Sequence, residues 1–196
     1  ASPDDGGEGT LLRAEIARPS ADASEATKRL GQLVIAVELM AQGKGKEAHA
    51  ALSGDAIGFP HRGAAALLAP WAAAMAGDTE GSLVRPEMRG DRVVDYFGQL
   101  GQAWLYERAR RYDEAETVFK ALTGGDAPGD IAVQAYGAFL ERRNRRADAV
   151  ALYDRSLAVT PNNENLIAAR ARAAAGKSAP AAPNLRQGAA QVLVAP

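Results

Sequence analysis

A recurrence of 33 or 34 residues constrains this chain more than any other feature. With Ala149 as an anchor, equivalent positions fall at Ala115, Ser82 and Ala48, spaced 34, 33 and 34 residues apart. Four residues after each anchor stand Leu52, Pro86, Phe119 and Tyr153. Nine before stand Leu39, Ala73, Tyr106 and Leu140, and twelve before stand Ala36, Pro70, Ala103 and Gly137. Five before come Gly43, Gly77, Arg110 and Asn144, where a turn is expected. A fixed period of this length marks an array of small supersecondary units.

The spacing describes two antiparallel helices per repeat. A small residue twelve before the anchor lets the first helix lie close to the second, and the anchor does the same from the other side. The large residue four after the anchor shares its face one turn on. Such a pair cannot bury its apolar surface alone, so stacking several makes the core. Alanine, leucine and valine dominate the apolar residues, aromatics are only 6%, and period-two β-branched runs are nearly absent, which favours close-packed helices over strands. The pattern predicts helices near 25–42, 46–53, 63–76, 79–88, 92–109, 114–122, 131–143, 147–159 and 164–175. Asp91, Asp113 and Asp130 are the expected N-caps, and Asp22 with Glu25 and Asp113 with Glu116 read as capping boxes. Gly124-Gly125 and Gly176 are expected helix stops.

The pattern resembles the tetratricopeptide repeat family. Residues 130–163 carry it best, through Tyr136-Gly137, Ala147-Asp148-Ala149-Val150, Tyr153, Ser156-Leu157 and Pro161-Asn162-Asn163. Residues 96–122 follow, with Tyr106, Tyr112-Asp113-Glu114-Ala115, Phe119 and Ala121-Leu122. Residues 32–52 match fairly, and 63–89 is degenerate at Pro70, Gly81, Ser82 and Pro86. The resemblance implies an all-α fold, a right-handed superhelix of antiparallel helix pairs with about four repeats. These span about 25–60, 61–90, 91–129 and 130–163, with a capping helix over 164–175. Residues 1–24 read as a tail or the remnant of an earlier repeat, 177–183 as an alanine-proline linker, and 184–196 as the start of a further helix. The chain opens at Ala1 and its first methionine is Met40, so it reads as a processed form or a piece of a longer repeat protein. Its alanine- and arginine-rich character resembles secreted repeat proteins of GC-rich proteobacteria. That implies a bacterial source and leaves the periplasm or the cytoplasm, with a slight lean towards the periplasm.

Composition narrows the chemistry. There are no cysteines, which removes disulfides, thiolate metal sites and cysteine nucleophiles. His49 and His61 are the only histidines, and neither has a partner at metal-ligand spacing. Gly43-Lys44-Gly45-Lys46 lacks the glycine spacing and the hydroxyl residue of a phosphate loop and reads as a turn between helices. Gly124 to Asp130 lacks the alternating oxygen ligands of a calcium loop and reads as an inter-repeat connection. No catalytic set, metal site or cofactor site is expected, so the chain is read as a non-enzyme. Lysine and arginine total 23 against 24 aspartates and glutamates, a balance unlike that of nucleic-acid binders. No apolar run approaches the roughly 20 residues of a membrane span.

The expected working surface is a groove lined by the first helices, which makes the chain a scaffold for a protein or peptide. The register assigns Leu33, Leu67, Leu100 and Gln134 fifteen before the anchors, and Val37, Trp71, Trp104 and Ala138 eleven before. Glu107, Arg108, Glu141 and Arg142 fall seven and eight before. Both tryptophans occupy equivalent sites, with two readings: packing between neighbouring first helices, or lining the groove as interface anchors. Family members that bind chaperone C-terminal carboxylates use lysines and asparagines in these columns. Here the columns hold leucine, valine, tryptophan, alanine and glutamine, which argues against that partner. Basic clusters at 108–111 and 142–146 suit helix C-termini, or alternatively a ridge that meets an acidic partner. The alternative to a scaffold is an assembly segment whose apolar faces pack on a longer chain or on a second copy.

Overall fold

Ser24 caps the first described helix by accepting the Thr27 amide at 3.3 Å. From there the computed structural model is helical throughout: it describes residues 24–125 and 128–193, and no strand occurs among them. The helices are α1 (Glu25–Ala41), α2 (Gly45–Ser53), α3 (Arg62–Met75), α4 (Thr79–Ser82), α5 (Arg92–Arg108), α6 (Tyr112–Thr123), α7 (Asp130–Arg142), α8 (Arg146–Val159), α9 (Glu164–Ala174) and α10 (Leu185–Leu193). The expected pairing of Asp22 with Glu25, and the tail over 1–23, lie outside the described residues.

The period reappears as five helix ends of one design. Gly43, Gly77, Arg110, Asn144 and Gly176 all have positive φ, between 61° and 83°. In each case the following amide reaches back five residues, to Leu39, Ala73, Tyr106, Leu140 and Arg172, at 2.8 to 3.1 Å. This is the Schellman closure, in which a left-handed residue satisfies the last carbonyls of a helix. Glycine takes that conformation freely. Arg110 and Asn144 hold it against a steric cost because the flanking helices are fixed. The fifth end, after α9, makes α9 a first helix by its geometry. The chain then enters the alanine-proline stretch instead of a second helix.

The chain divides into two compact units, Ala1–Gly101 with Asn184–Pro196, and Gln102–Pro183, so that α5 contributes residues to both. In the first unit α1 packs on α2, α2 on α3, α3 on α4, α1 on α3, and α10 on α3. In the second, α6 packs on α7, α7 on α8, α8 on α9, and α7 on α9. Most of these contacts join helices adjacent in sequence, and α10 on α3 is the long-range exception. The anchor positions Ala48, Ser82, Ala115 and Ala149 are all buried, three of them at 0% exposure. Phe119 stacks on Tyr136 with centroids 5.6 Å apart and meets Phe139 at 5.3 Å.

Three local expectations need correcting. The helix expected over 79–88 ends at Ser82, because Leu83 and Val84 fall into turns closing on Glu80 and Gly81. Pro86 then forbids further helix, having no amide hydrogen and disfavouring α geometry at Arg85. Asp113 is not the N-cap of α6. The helix starts at Tyr112 with Arg111 as its cap residue, and Asp113 sits in the first turn beside the positive dipole end. Asp130 is likewise the first residue of α7, whose cap is Gly129. Asp91 is a cap as expected, accepting the amides of Val93 and Val94 at 3.0 Å each.

Candidate partner-binding surface

Few of the expected groove residues face solvent. Leu67, Trp71, Leu100 and Trp104 are buried, with the indoles of Trp71 and Trp104 only 2% and 6% exposed. Glu107 and Glu141 are buried, while Leu33, Gln134 and Arg142 are half-buried. Val37 and Arg108 alone are exposed. Of the two readings of the tryptophans, burial agrees with packing.

In the first unit, α10 covers the Trp71 face of α3. Gly188 lies so close to the indole that a Cβ there would overlap the ring atoms Cη2 and Cζ3. On the edge of the ring, a Cβ at Gly101 would sit 3.2 Å from Trp71 Nε1 and 3.5 Å from Val192. Gly188, Ala189 and Val192 form the buried stripe of α10, and Arg186, Gln187, Ala190 and Gln191 form its exposed side. Residues at i, i+1 and i+4 share one side of a helix, which is why so short an element buries a continuous strip. The sequence marked 184–196 as the start of a further helix and was silent on where it docks.

In the second unit the polar members of the same columns are fastened to each other. Arg142 binds Glu107 with two parallel bonds, Nε to Oε1 at 2.8 Å and Nη2 to Oε2 at 2.7 Å. Its third nitrogen, Nη1, donates to the carbonyl of Pro180 at 2.7 Å, so the linker is held to α7. Arg172 binds Glu141 through Nη2 at 2.6 Å and Nε at 3.3 Å, and Tyr153 donates its hydroxyl to the same carboxylate at 3.0 Å. Burial, then the charge of Glu141, pushes the Tyr153 phenol well above its ordinary range. Sequence reasoning missed these clamps. Their signal was present: Glu107 and Glu141 are 34 residues apart, and each finds an arginine 35 or 31 residues further on.

A third cluster sits between α6, α7 and α8. Glu116 accepts from Arg145 at 2.8 Å, Lys120 at 2.9 Å and Tyr136 at 3.1 Å. Burial alone would raise its pKa, but the bonds from Arg145, Lys120 and Tyr136 win and hold it at about 2. Tyr136 is pushed up to about 12 by burial and by the neighbouring carboxylate. A depressed carboxylate stabilises the fold above its unfolded pKa, and that stability disappears as pH falls through the folded value. The melting temperature should therefore drop steeply between pH 4.5 and 2. In Glu116→Gln that part of the slope should be missing and stability at neutral pH lower. Thermal melts followed by circular dichroism across that range check it, and an unchanged slope in the variant would refute the assignment.

Around these clusters the basic runs are distributed, not gathered. Arg111 pairs with Glu114 at 2.7 Å, Arg145 with Asp148 at 2.7 Å, and Arg143 lies over the Tyr112 ring at 3.8 Å. Arg108, Arg110 and Arg146 are exposed. No group of histidine, aspartate and glutamate among the described residues has the arrangement of a metal site. No described helix is long and apolar enough to cross a membrane. A cavity of about 210 Å³ lies beside Leu152, Arg155, Ser156 and Val159 of α8, under the loop that follows α6. Its lining mixes apolar, hydroxyl and charged side chains. No protein-family model, no curated protein and no solved structure matches this chain.

Proposed function

We propose that this chain is a non-enzymatic scaffold of the tetratricopeptide kind, whose stacked helix pairs continue as a right-handed superhelix and bind a protein or peptide. The observation that carries the reading is the set of five identical helix ends at Gly43, Gly77, Arg110, Asn144 and Gly176. Equal turns at nearly equal intervals are what a stacked array of helix pairs requires, and repeat arrays of this type work through the surfaces of such helices. The face of α3 supports the reading further, because it takes up a helix, α10, by shape and apolar contact.

Two measurements test it. Light scattering on the purified chain should give a monomer across a hundredfold dilution. The immobilised chain should then retain one protein from an extract of its native source, and Val37→Glu with Arg108→Glu should lose that protein while melting like the parent. A concentration-dependent dimer would favour the assembly reading instead. Retention unaffected by the two exposed substitutions would remove the first helices as the binding side.

A further inference from the structure

We infer that α10 is a built-in ligand: it occupies a helix-binding site on α3, and the external partner of that site is a short amphipathic helix bearing the same Gly-Ala-x-x-Val stripe. The inference deepens the scaffold reading and rests on it. Three observations carry it.

The first is selectivity at the contact. Trp71 presents its ring to Gly188, and Gly101 leaves room for the other edge of the indole against Val192. A helix carrying any side chain at the Gly188 position cannot approach this closely without displacing Trp71, which is itself 2% exposed. The site therefore reads a small residue at one position and an aliphatic one a turn later. Recognition of an amphipathic helix by apolar anchors at such spacing is a common mode of binding.

The second is the way α10 is attached. It follows seven residues of alanine-proline linker, 177–183, and so reaches α3 from the far end of the sequence. A tether of that length gives an effective concentration on the order of millimolar, which keeps even a weak site filled. Arg142 fixes part of the linker through Pro180.

The third is that α10 carries its own start signal. Asn184 Oδ1 accepts the Gln187 amide at 2.9 Å, and Gln187 Oε1 accepts the Asn184 amide at 3.0 Å. This reciprocal cap lies within the segment and needs nothing from α3. A nine-residue helix is marginal alone in water, so it folds by docking and unfolds on release. A short partner helix that its own protein holds formed competes on favourable terms.

The test uses the full chain and a fluorescent synthetic peptide of residues 184–196. Gly188→Leu in the chain should evict α10, leave cooperative melting of the rest, and raise affinity for the parent peptide at least tenfold. A peptide that itself carries Gly188→Leu should bind neither chain. As a second arm, a protease site replacing residues 177–182 lets the linker be cut in the folded protein. The severed α10 should then leave on dilution and be replaced by the labelled peptide. In these two assays, two results would overturn the inference. One is a folded Gly188→Leu chain that does not bind the parent peptide. The other is a cut chain that keeps its fragment on dilution, or that melts when the fragment leaves. If the Gly188→Leu chain fails to fold, the cut chain decides. Success here with no external protein retained would leave the built-in ligand standing and remove the scaffold reading. Equal retention by the parent and Gly188→Leu would do the reverse.

Discussion

Replacing Gly45 by alanine should be among the most damaging single changes in the first unit, lowering the melting temperature by about 10 °C. Gly45 opens α2 and is buried against the end of α3. A Cβ there would overlap the backbone of Met75 and Ala76, and would lie 2.7 Å from the Met75 Cβ. A flexible side chain can swing aside, but a backbone cannot, because Ala76 is locked by its own bond to the Ala72 carbonyl at 2.9 Å. Relief requires α2 to lift from α3, which opens the interface holding Ala48 and Leu52. Overpacking of this sort costs about 3 kcal/mol when nothing can yield. Gly54→Ala is the control. Its nearest neighbour would be the Ala50 carbonyl at 3.7 Å, an ordinary contact, and its φ of −85° suits any residue. A Gly45→Ala chain melting within about 2 °C of Gly54→Ala would show that the two helices are not pressed together as described.

Gly45 also illustrates what a one-dimensional pattern contains. The run Gly43-Lys44-Gly45-Lys46 was legible as a turn, and the turn is there. Its two glycines serve different ends: Gly43 supplies a φ of 75°, and Gly45 supplies space. Only the first is repeated, at Gly77, Arg110, Asn144 and Gly176, so only the first is visible to a search for period. The anchors Ala48, Ala115 and Ala149 were legible for the same reason, since they recur and are all fully buried. Every expected helix start came out within two residues, and the misses were one helix end and the identity of two caps. Pro86 shortened α4, and Arg111 took the capping position before Asp113.

The working surface was less legible. Register states which side of a helix a residue occupies and says nothing about what covers that side. Trp71 was expected on the groove side of a first helix, yet it is buried, and its cover comes from α10, beyond the Ala-Pro linker. No period connects the two. The columns seven and eight before the anchors posed a different problem. Met40, Glu107 and Glu141 share a column but not a solution: Met40 is buried as an apolar residue, whereas each glutamate is buried only because an arginine follows it in. Charge in a sequence usually signals solvent, since an ion is rarely fully buried unless paired. Reading the pairs needed the next first helix in place.

Those pairs give the second large effect. Arg172→Ala should destabilise the second unit by about 3 kcal/mol, seen as a fall of about 10 °C in melting temperature at neutral pH. The Glu141 side chain is 1% exposed, against 25% for Arg172. Without the guanidinium the carboxylate keeps one strong donor, the Tyr153 hydroxyl, and has no opposite charge in contact. An uncompensated buried charge costs far more than the intact pair contributes, because water no longer solvates it. The effect should therefore be asymmetric. Glu141→Gln alone removes the charge and leaves Arg172 half-exposed, free to turn to solvent, so it should cost less than Arg172→Ala. In the double variant Glu141→Gln with Arg172→Ala, at least half of the loss should return, because the amide is neutral and still accepts from Tyr153. Simple loss of contacts predicts the opposite, a double variant worse than either single one. Denaturant melts of the four proteins separate the two accounts. An additive double variant would mean that Glu141 is solvated after all, and that α7 and α9 are held together by apolar packing alone.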